Sequence, residues 1–248
     1  VLGSSTTPTI PYGRNVVAEH HAMMWSHHGM NPRVPSDRAM IADRIRDSTM
    51  RAESVLHELG AISIINSDSQ GMGRIGETVR RTFQLAHVMK AWRRSTAADG
   101  VPGLPDDAGL ADANDRDDTA RVLRYLAKVT IEPAITHGLA GHVGSLRVGR
   151  LADIVLWKPG FFGVKPEWVF KGGAQAWGPL GEGNATLGRA EPTRYMADWS
   201  GHGLVPGDVS LTFVGRAAAD NGLAARLGTR RPLVAVEESH KFELLAAG

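Results

Sequence analysis

An aspartate follows a short β-branched run and precedes a glycine-rich turn. Residues 62–65 read Ile-Ser-Ile-Ile, a composition typical of a strand, and the polar sequence SDSQGMGRIG follows at residues 67–76. A helical pattern then predicts a helix from about residue 74 to residue 92. In α/β folds, ligands bind at the carboxyl ends of strands. The pattern therefore places the carboxylate of Asp68 where catalysis usually takes place.

The same turn has two other interpretations. Its sequence GMGRIG, residues 71–76, spells G-x-G-x-x-G, the pattern of a dinucleotide-binding turn. That turn needs a glycine directly at the strand end and a second strand soon after the helix, whereas four polar residues intervene here and AWRRS at residues 91–95 is not a strand. In the other interpretation Asp68 only caps the next helix, because aspartate is a good N-cap residue.

Two adjacent histidines lie near a predicted helix end. A helical composition covers about residues 15–25, and a glycine and a proline follow, so we expect His27 and His28 at the helix end or on the loop beyond it. A second helix carries Arg44. Residues from about 16 to 47 are predicted to form a movable cover, or flap. Taken alone, a solvated histidine pair and a surface arginine are the simpler interpretations.

The remaining pattern predicts an α/β region followed by a β-rich region, with a boundary near residue 140. We expect residues 1–140 to hold the helices and residues 141–248 to hold most short strands. Helices are predicted at residues 49–59, 119–127, 130–138 and 217–227, an exposed loop at 97–118, and strands at 145–148, 153–157, 168–171, 175–177, 210–214 and 233–237.

Composition excludes several classes of function. The chain has 248 residues and a net charge of +2, without a dense Lys/Arg run, so we expect no nucleic-acid partner. No apolar run approaches the roughly 20 residues of a membrane span, so we expect no membrane partner. With no cysteine, the chain holds neither a disulfide nor a thiolate metal site. A cytoplasmic location is the expectation.

Several longer segments are together similar to the C-terminal part of the urease catalytic (alpha) subunit, of the amidohydrolase superfamily. The adjacent histidines and their spacing to the basic pair at Arg44 and Arg46 belong to this resemblance. The other matching segments are SSTTPTIPY (residues 4–12), HELGAISIINSDSQGMGRIGETVRRT (57–82), RYLAKVTIEPAITHG (124–138), VGSLRVGRLADIVLWKPGFFGVKP (143–166) and KGG (171–173). The resemblance implies an α/β fold: the closing part of a metal-dependent (β/α)8 barrel of amidohydrolase type, followed by part of a β-rich domain.

The resemblance also implies an activity and roles for particular residues. A urease hydrolyses urea to ammonia and carbamate with two Ni2+ ions beneath a mobile flap. By position, Asp68 is implied as a nickel ligand, His28 as the proton donor and Arg44 as the cation that orients substrate or His28. Gly71 takes the position whose backbone carbonyl accepts a hydrogen bond from urea, and His27 lies beside the proton donor in the flap.

Some family features are changed or absent. His27 stands where the family has a cysteine, Gly29 where it has a histidine, and Gly71 where it usually has an alanine. The first change should weaken inhibition by thiol reagents. The other nickel ligands, including the carbamylated lysine that bridges the two ions, lie upstream in the family and have no counterpart in this chain.

We therefore expect a piece of a urease alpha subunit that is inactive alone. The implied partners are urea, the beta and gamma subunits, and the accessory proteins that load nickel. Two rivals stay open. One is another binuclear amidohydrolase, acting on cyclic amides, and the other is a non-catalytic scaffold domain derived from a urease.

Overall fold

The computed structural model describes residues 2–6, 16–68, 75–98, 117–179, 193–195, 207, 209–228 and 231–236. The chain divides into two compact units, Val1–Glu132 and Pro133–Gly248. None of the helices within the described ranges is long and apolar enough to cross a membrane. The expected division into domains near residue 140 stays a prediction.

Helices dominate the described part of the first unit. They are α1 (Val16–His27), α2 (Pro35–Arg44), α3 (Asp47–Glu58), α4 (Thr78–Ala98) and α5 (Thr119–Ala127), with α6 (Ile131–Thr136) at the division between the units. All six were predicted, and α5 has the predicted bounds. A 3-10 helix (Ile75–Glu77) leads into α4, which continues six residues beyond the predicted end at Trp92.

Two very short parallel strands accompany these helices. Strand β1 (Ser4–Ser5) pairs with β2 (Ile64–Ile65). Parallel strands need a crossover connection, which α1, α2 and α3 supply. The run at residues 62–65 predicts β2, whereas no strand was predicted at the position of β1. Small polar side chains carry no strand signal, and β1 forms because its backbone pairs with β2.

The core of the first unit lies where β2 meets α4 and α5. Its buried residues are Ile65, Leu85, Ala86, Met89 and Tyr125, with Phe83, Trp92 and Val129 packed against them. Burying these large apolar side chains contributes roughly 1.5–3 kcal/mol each. Strand β2 is thereby held on the helices that follow it in the sequence.

The second unit is built on an antiparallel sheet. Its described strands are β3 (Ile154–Leu156), β4 (Trp168–Lys171), β5 (Ala174–Pro179) and β6 (Thr193–Tyr195), in that order across the sheet. The turn between β4 and β5 consists of Gly172 and Gly173, with φ of 58° and 84°. Positive φ at both positions is the geometry of a tight hairpin turn, which glycine adopts without steric cost.

A separate parallel pair follows. Strand β7 (Thr212–Gly215) pairs with β8 (Leu233–Val236) through a crossover of α7 (Arg216–Asp220) and α8 (Leu223–Leu227). The prediction of one helix over residues 217–227 was wrong, because Gly222 takes a φ of 72° and separates α7 from α8. Both strands were predicted.

The predicted strand at residues 145–148 was also wrong. Residue 145 lies in a bend, residues 146–147 have irregular backbone and residue 148 lies in a turn. Gly144 and Gly149, with φ of 91° and 86°, bound the segment, and Leu146 is 77% exposed. An apolar run without a partner strand does not bury its side chains, so the pattern was misleading here. Strand β6, by contrast, was not predicted.

The observed class is mixed α/β. The described strands form the β1–β2 pair, the β3–β6 sheet and the β7–β8 pair, and they close no barrel among themselves. The parallel β1–β2 pair with helices between and after its strands is the kind of unit from which a barrel is built. The prediction is thus confirmed at the level of α/β class.

Candidate active site

Asp68 lies three residues beyond the end of β2. Asn66 ties this segment to β1: its backbone N–H donates to the Ser5 carbonyl at 3.0 Å and its side-chain Nδ2 to the Ser4 hydroxyl at 3.1 Å. Asp68 is exposed and has a φ of 48°, in the left-handed region. Aspartate is among the few residues that visit this region, and such conformations cluster at functional sites.

The geometry argues against the two other interpretations of the turn. The next described helix begins at Ile75, seven residues after Asp68, so Asp68 is not at its N-cap position. Helix α4 continues through residues 91–95, so no second strand follows where a dinucleotide-binding fold needs one. Gly71, the predicted contact for a urea amide, lies outside the described residues.

The two flap histidines lie at the C-terminal end of α1 in different surroundings. The His28 backbone N–H donates to the Met24 carbonyl at 3.1 Å, and Gly29, with a φ of 62°, ends the helix. The His27 Nδ1 atom lies 3.0 Å from the Met23 carbonyl oxygen. The Ser26 hydroxyl lies 2.9 Å from the same nitrogen, and the His27 ring therefore lies back along its own helix.

His28 is the exposed histidine that remains available for proton transfer. Its ring makes no hydrogen bond within the described part of the chain, and it is open to solvent. Histidine is the side chain most often used as a general acid or base in enzymes. The prediction that His27 and His28 lie at a helix end is confirmed. His28 is thus the better candidate for a proton donor.

Arg44 is the last residue of α2, which packs against α1. The His21 Nε2 atom lies 3.4 Å from the carbonyl oxygen of Ile45, which joins the two helices just beyond Arg44. The Arg44 side chain is exposed, and no ion pair between described residues involves it. The two helices therefore present His28 and Arg44 at their C-terminal ends, where positive charge interacts favourably with the helix dipole.

The predicted site residues are not brought together in the described ranges. No hydrogen bond or ion pair between described residues joins Asp68, His28 and Arg44, and no three His, Asp or Glu side chains there lie close enough to hold a metal ion. Asp68 fits a divalent cation as one hard oxygen ligand at a strand end. A single carboxylate does not complete a metal shell, so the described residues do not form a metal site by themselves.

A buried ionic cluster lies among α3, α4 and α5. The Glu58 carboxylate, fully buried at the end of α3, accepts hydrogen bonds from Arg93 Nε at 2.6 Å, Arg121 Nη1 at 2.8 Å and the Tyr125 hydroxyl at 2.7 Å. Burial, and then the neighbouring Glu58 carboxylate, raise the pKa of Tyr125. These partners are 35 to 67 residues apart in sequence, so no local pattern could have revealed the cluster.

Two further ionisable residues adjoin the start of β2. Lys128 is buried, and its Nζ donates to the Ile62 carbonyl at 2.6 Å. Burial, followed by the charge of the Lys128 ammonium, lowers the pKa of the buried His57 to about 4. The sequence does not distinguish His57 and Lys128 from exposed residues of a helix. No local pattern shows that these two side chains are buried.

Comparison with known proteins matches residues 9–174 of this chain to the amidohydrolase family. Urease subunit alpha 1 of Streptomyces avermitilis is 52% identical over 236 residues, which are 95% of this chain and 39% of that protein. Urease subunit alpha 2 of Streptomyces coelicolor is 50% identical over 236 residues with the same coverage.

The chain spans about two fifths of the length of these curated relatives (39%). The aligned region includes the strand end with Asp68 and the helix ends with His28 and Arg44, all of which the structure describes. Because the family match covers well over half of the 248 residues, the chain belongs to the amidohydrolase family.

Proposed function

We propose that this chain is part of a urease alpha subunit and contributes residues to the nickel-dependent hydrolysis of urea to ammonia and carbamate. The observation that carries the proposal is the identity of 50–52% to two urease alpha subunits over 95% of the chain. The placement of Asp68 at a strand end and of His28 at an exposed helix end supports it.

The chemistry of urea explains why such residues are needed. Urea is stabilised by resonance and is a poor electrophile, so its hydrolysis needs a polarised carbonyl, an activated water and a proton donor for the departing amine. Two bound Ni2+ ions would supply the first two. Asp68 would hold one of these ions, and the remaining ligands, among them the carbamylated lysine, would come from the part of the subunit that this chain does not span.

The other residues would act on the substrate from the flap and the glycine turn. His28 would donate its proton to the leaving nitrogen, and Arg44 would hold the substrate or His28 in orientation through its charge. The backbone carbonyl of Gly71 would accept a hydrogen bond from a urea amide group. His27 would keep its ring on the helix beside the donor.

The assembly would include the beta and gamma subunits and, for loading, nickel accessory proteins, in the cytoplasm. A barrel closed by the rest of the subunit and a β-rich domain from about residue 141 belong to the same proposal. The chain by itself would be inactive.

The test is urea hydrolysis by the assembled, nickel-loaded enzyme with His28→Ala in the subunit. General acid catalysis contributes roughly 10²–10⁴-fold, so we expect kcat to fall by that factor while bound nickel stays unchanged. His87→Ala is the matched control, because His87 is an exposed histidine on α4 outside the proposed site. A wild-type enzyme without urea hydrolysis would contradict the proposal, and cyclic-amide turnover would favour the rival amidohydrolase. An unaffected His28→Ala variant would favour the scaffold.

A further inference from the structure

Strand β2, which leads to Asp68, is too short to hold itself in place. It consists of Ile64 and Ile65 and pairs along one edge with β1. On that edge the N–H groups of Ser63 and Ile64 donate to the Gly3 carbonyl at 3.0 Å each. Isolated two-stranded pairs are marginal in water, so the other edge of β2 needs a partner as well.

Lys128 occupies that other edge. Its backbone carbonyl accepts the N–H of Ile65 at 3.2 Å, and its side-chain Nζ donates to the carbonyl of Ile62 at 2.6 Å. One residue thus binds the strand at two points, on either side of Ser63 and Ile64. It takes the place that a neighbouring strand would have in a longer sheet.

Lys128 is itself held by its surroundings. It directly follows α5, where its charge interacts favourably with the end of the helix dipole, and it is only 2% exposed. Its ammonium lies 5.7 Å from the centre of the Tyr125 ring, and Tyr125 donates to Glu58 at the end of α3. Because burial and these contacts restrict the side chain, Lys128 gives the strand a rigid support.

We propose that Lys128 is a positioning residue for Asp68: it fixes β2 through Ile62 and Ile65 and thereby places the carboxylate three residues further on. The proposal rests on the proposed function, because it concerns the metal ligand of that site. Displacement of a catalytic group by about 1 Å can cost about 100-fold in rate. Asp68, held in a left-handed conformation, depends on a fixed strand before it.

The experiment uses the full-length, assembled protein with Lys128→Met, which keeps the length of the side chain and removes the donor. We expect amide exchange of residues 62–66 to become about 10-fold faster, with exchange of residues 85–89 and 121–125 within about twofold of wild type. Bound nickel should fall, and kcat should drop by about 10- to 100-fold with KM within about twofold. Lys128→Arg, which keeps a donor and the charge, should restore most of the nickel content.

Lys90→Met is the matched control, because Lys90 lies on α4 and pairs with Asp118 at 2.7 Å. It should leave exchange at residues 62–66 and nickel content unchanged. Unchanged exchange in Lys128→Met would overturn the proposal, and so would equal acceleration across the whole core, since that indicates general destabilisation. If the wild-type enzyme does not hydrolyse urea, the proposed function fails, while the exchange measurement still decides whether Lys128 holds the strand.

Discussion

His27 occupies the flap beside the proposed proton donor, where urease relatives are expected to carry a cysteine. Its ring is bound to its own helix through the Met23 carbonyl, and the chain has no cysteine at all. We predict that His27→Cys in the assembled enzyme makes urea hydrolysis sensitive to N-ethylmaleimide, because an exposed thiolate next to His28 would be alkylated and block the flap.

The rate of urea hydrolysis is measured for His27→Cys and for wild type, each with and without N-ethylmaleimide. His27→Ala is the control: it should respond to maleimide as wild type does. The prediction is contradicted if mass spectrometry shows that His27→Cys is alkylated while its rate of urea hydrolysis is unchanged. Residue 27 would then not lie close to the reacting groups.

A second prediction at the level of single residues concerns His57 and the dependence of the free energy of unfolding on pH. Burial and the nearby Lys128 ammonium lower its pKa to about 4 from 6.5 in the unfolded chain. Between these values the unfolded state binds the extra proton, so the stabilisation is fully present above pH 6.5 and is lost as the pH falls to about 4. The full span corresponds to about 3 kcal/mol, at 1.36 kcal/mol per pKa unit.

The measurement is the free energy of unfolding in guanidinium chloride at several values between pH 4 and pH 7, comparing wild type with His57→Leu. The variant removes the titrating group from the buried position, so its curve should be flatter by about 3 kcal/mol across this window. Parallel curves for the two proteins would show that folding does not lower the pKa of His57.

At the scale of elements, Glu58 joins α3 to α4 and α5. The carboxylate is fully buried and forms ion pairs with Arg93 and Arg121. Glu58→Gln leaves two buried guanidinium groups without their anion, and we predict a loss of about 3–5 kcal/mol in the free energy of unfolding.

Glu77→Gln is the matched control for this change. Glu77 also contacts two arginines, Arg80 and Arg81, but lies near the surface at the start of α4. Exposed pairs of this kind contribute only about 0–1 kcal/mol. Chemical denaturation measures both variants, and equal losses for the two would show that burial does not set the strength of the Glu58 cluster.

At the scale of the whole molecule, the described residues contain one proposed nickel ligand and no group of three His, Asp or Glu side chains suited to a metal ion. We predict that the chain of 248 residues, produced alone, binds less than one Ni2+ per chain and does not hydrolyse urea, whereas the full-length alpha subunit binds two.

Metal analysis after gel filtration measures the stoichiometry, and circular dichroism checks that the helices are formed. Asp68→Asn in the full-length subunit is the companion variant, which should lower bound nickel because a neutral amide is a weaker ligand than a carboxylate. Two nickel ions bound to the chain alone would contradict the prediction.

The helices and the strand that precedes Asp68 could be predicted because their signals are local. Helix α5 and strand β4 have the predicted bounds, and the β-branched run before Asp68 forms β2 as expected. Side-chain periodicity and stop residues act within a few positions, so the sequence reports them directly. The position of the adjacent histidines at the end of α1 was predicted from the same kind of local signal.

The burial of Lys128 and Glu58 could be identified only from the tertiary structure. Nothing in the pattern distinguishes Lys128 or Glu58, both buried, from the exposed charges on the same helices. Their burial is decided by partners 35 to 67 residues away. The unpredicted β1 and the absent strand at residues 145–148 have the same cause, because a strand forms only where another backbone pairs with it. Residue types and local order thus come from the sequence alone, and packing decides which charges are buried and which short segments become strands.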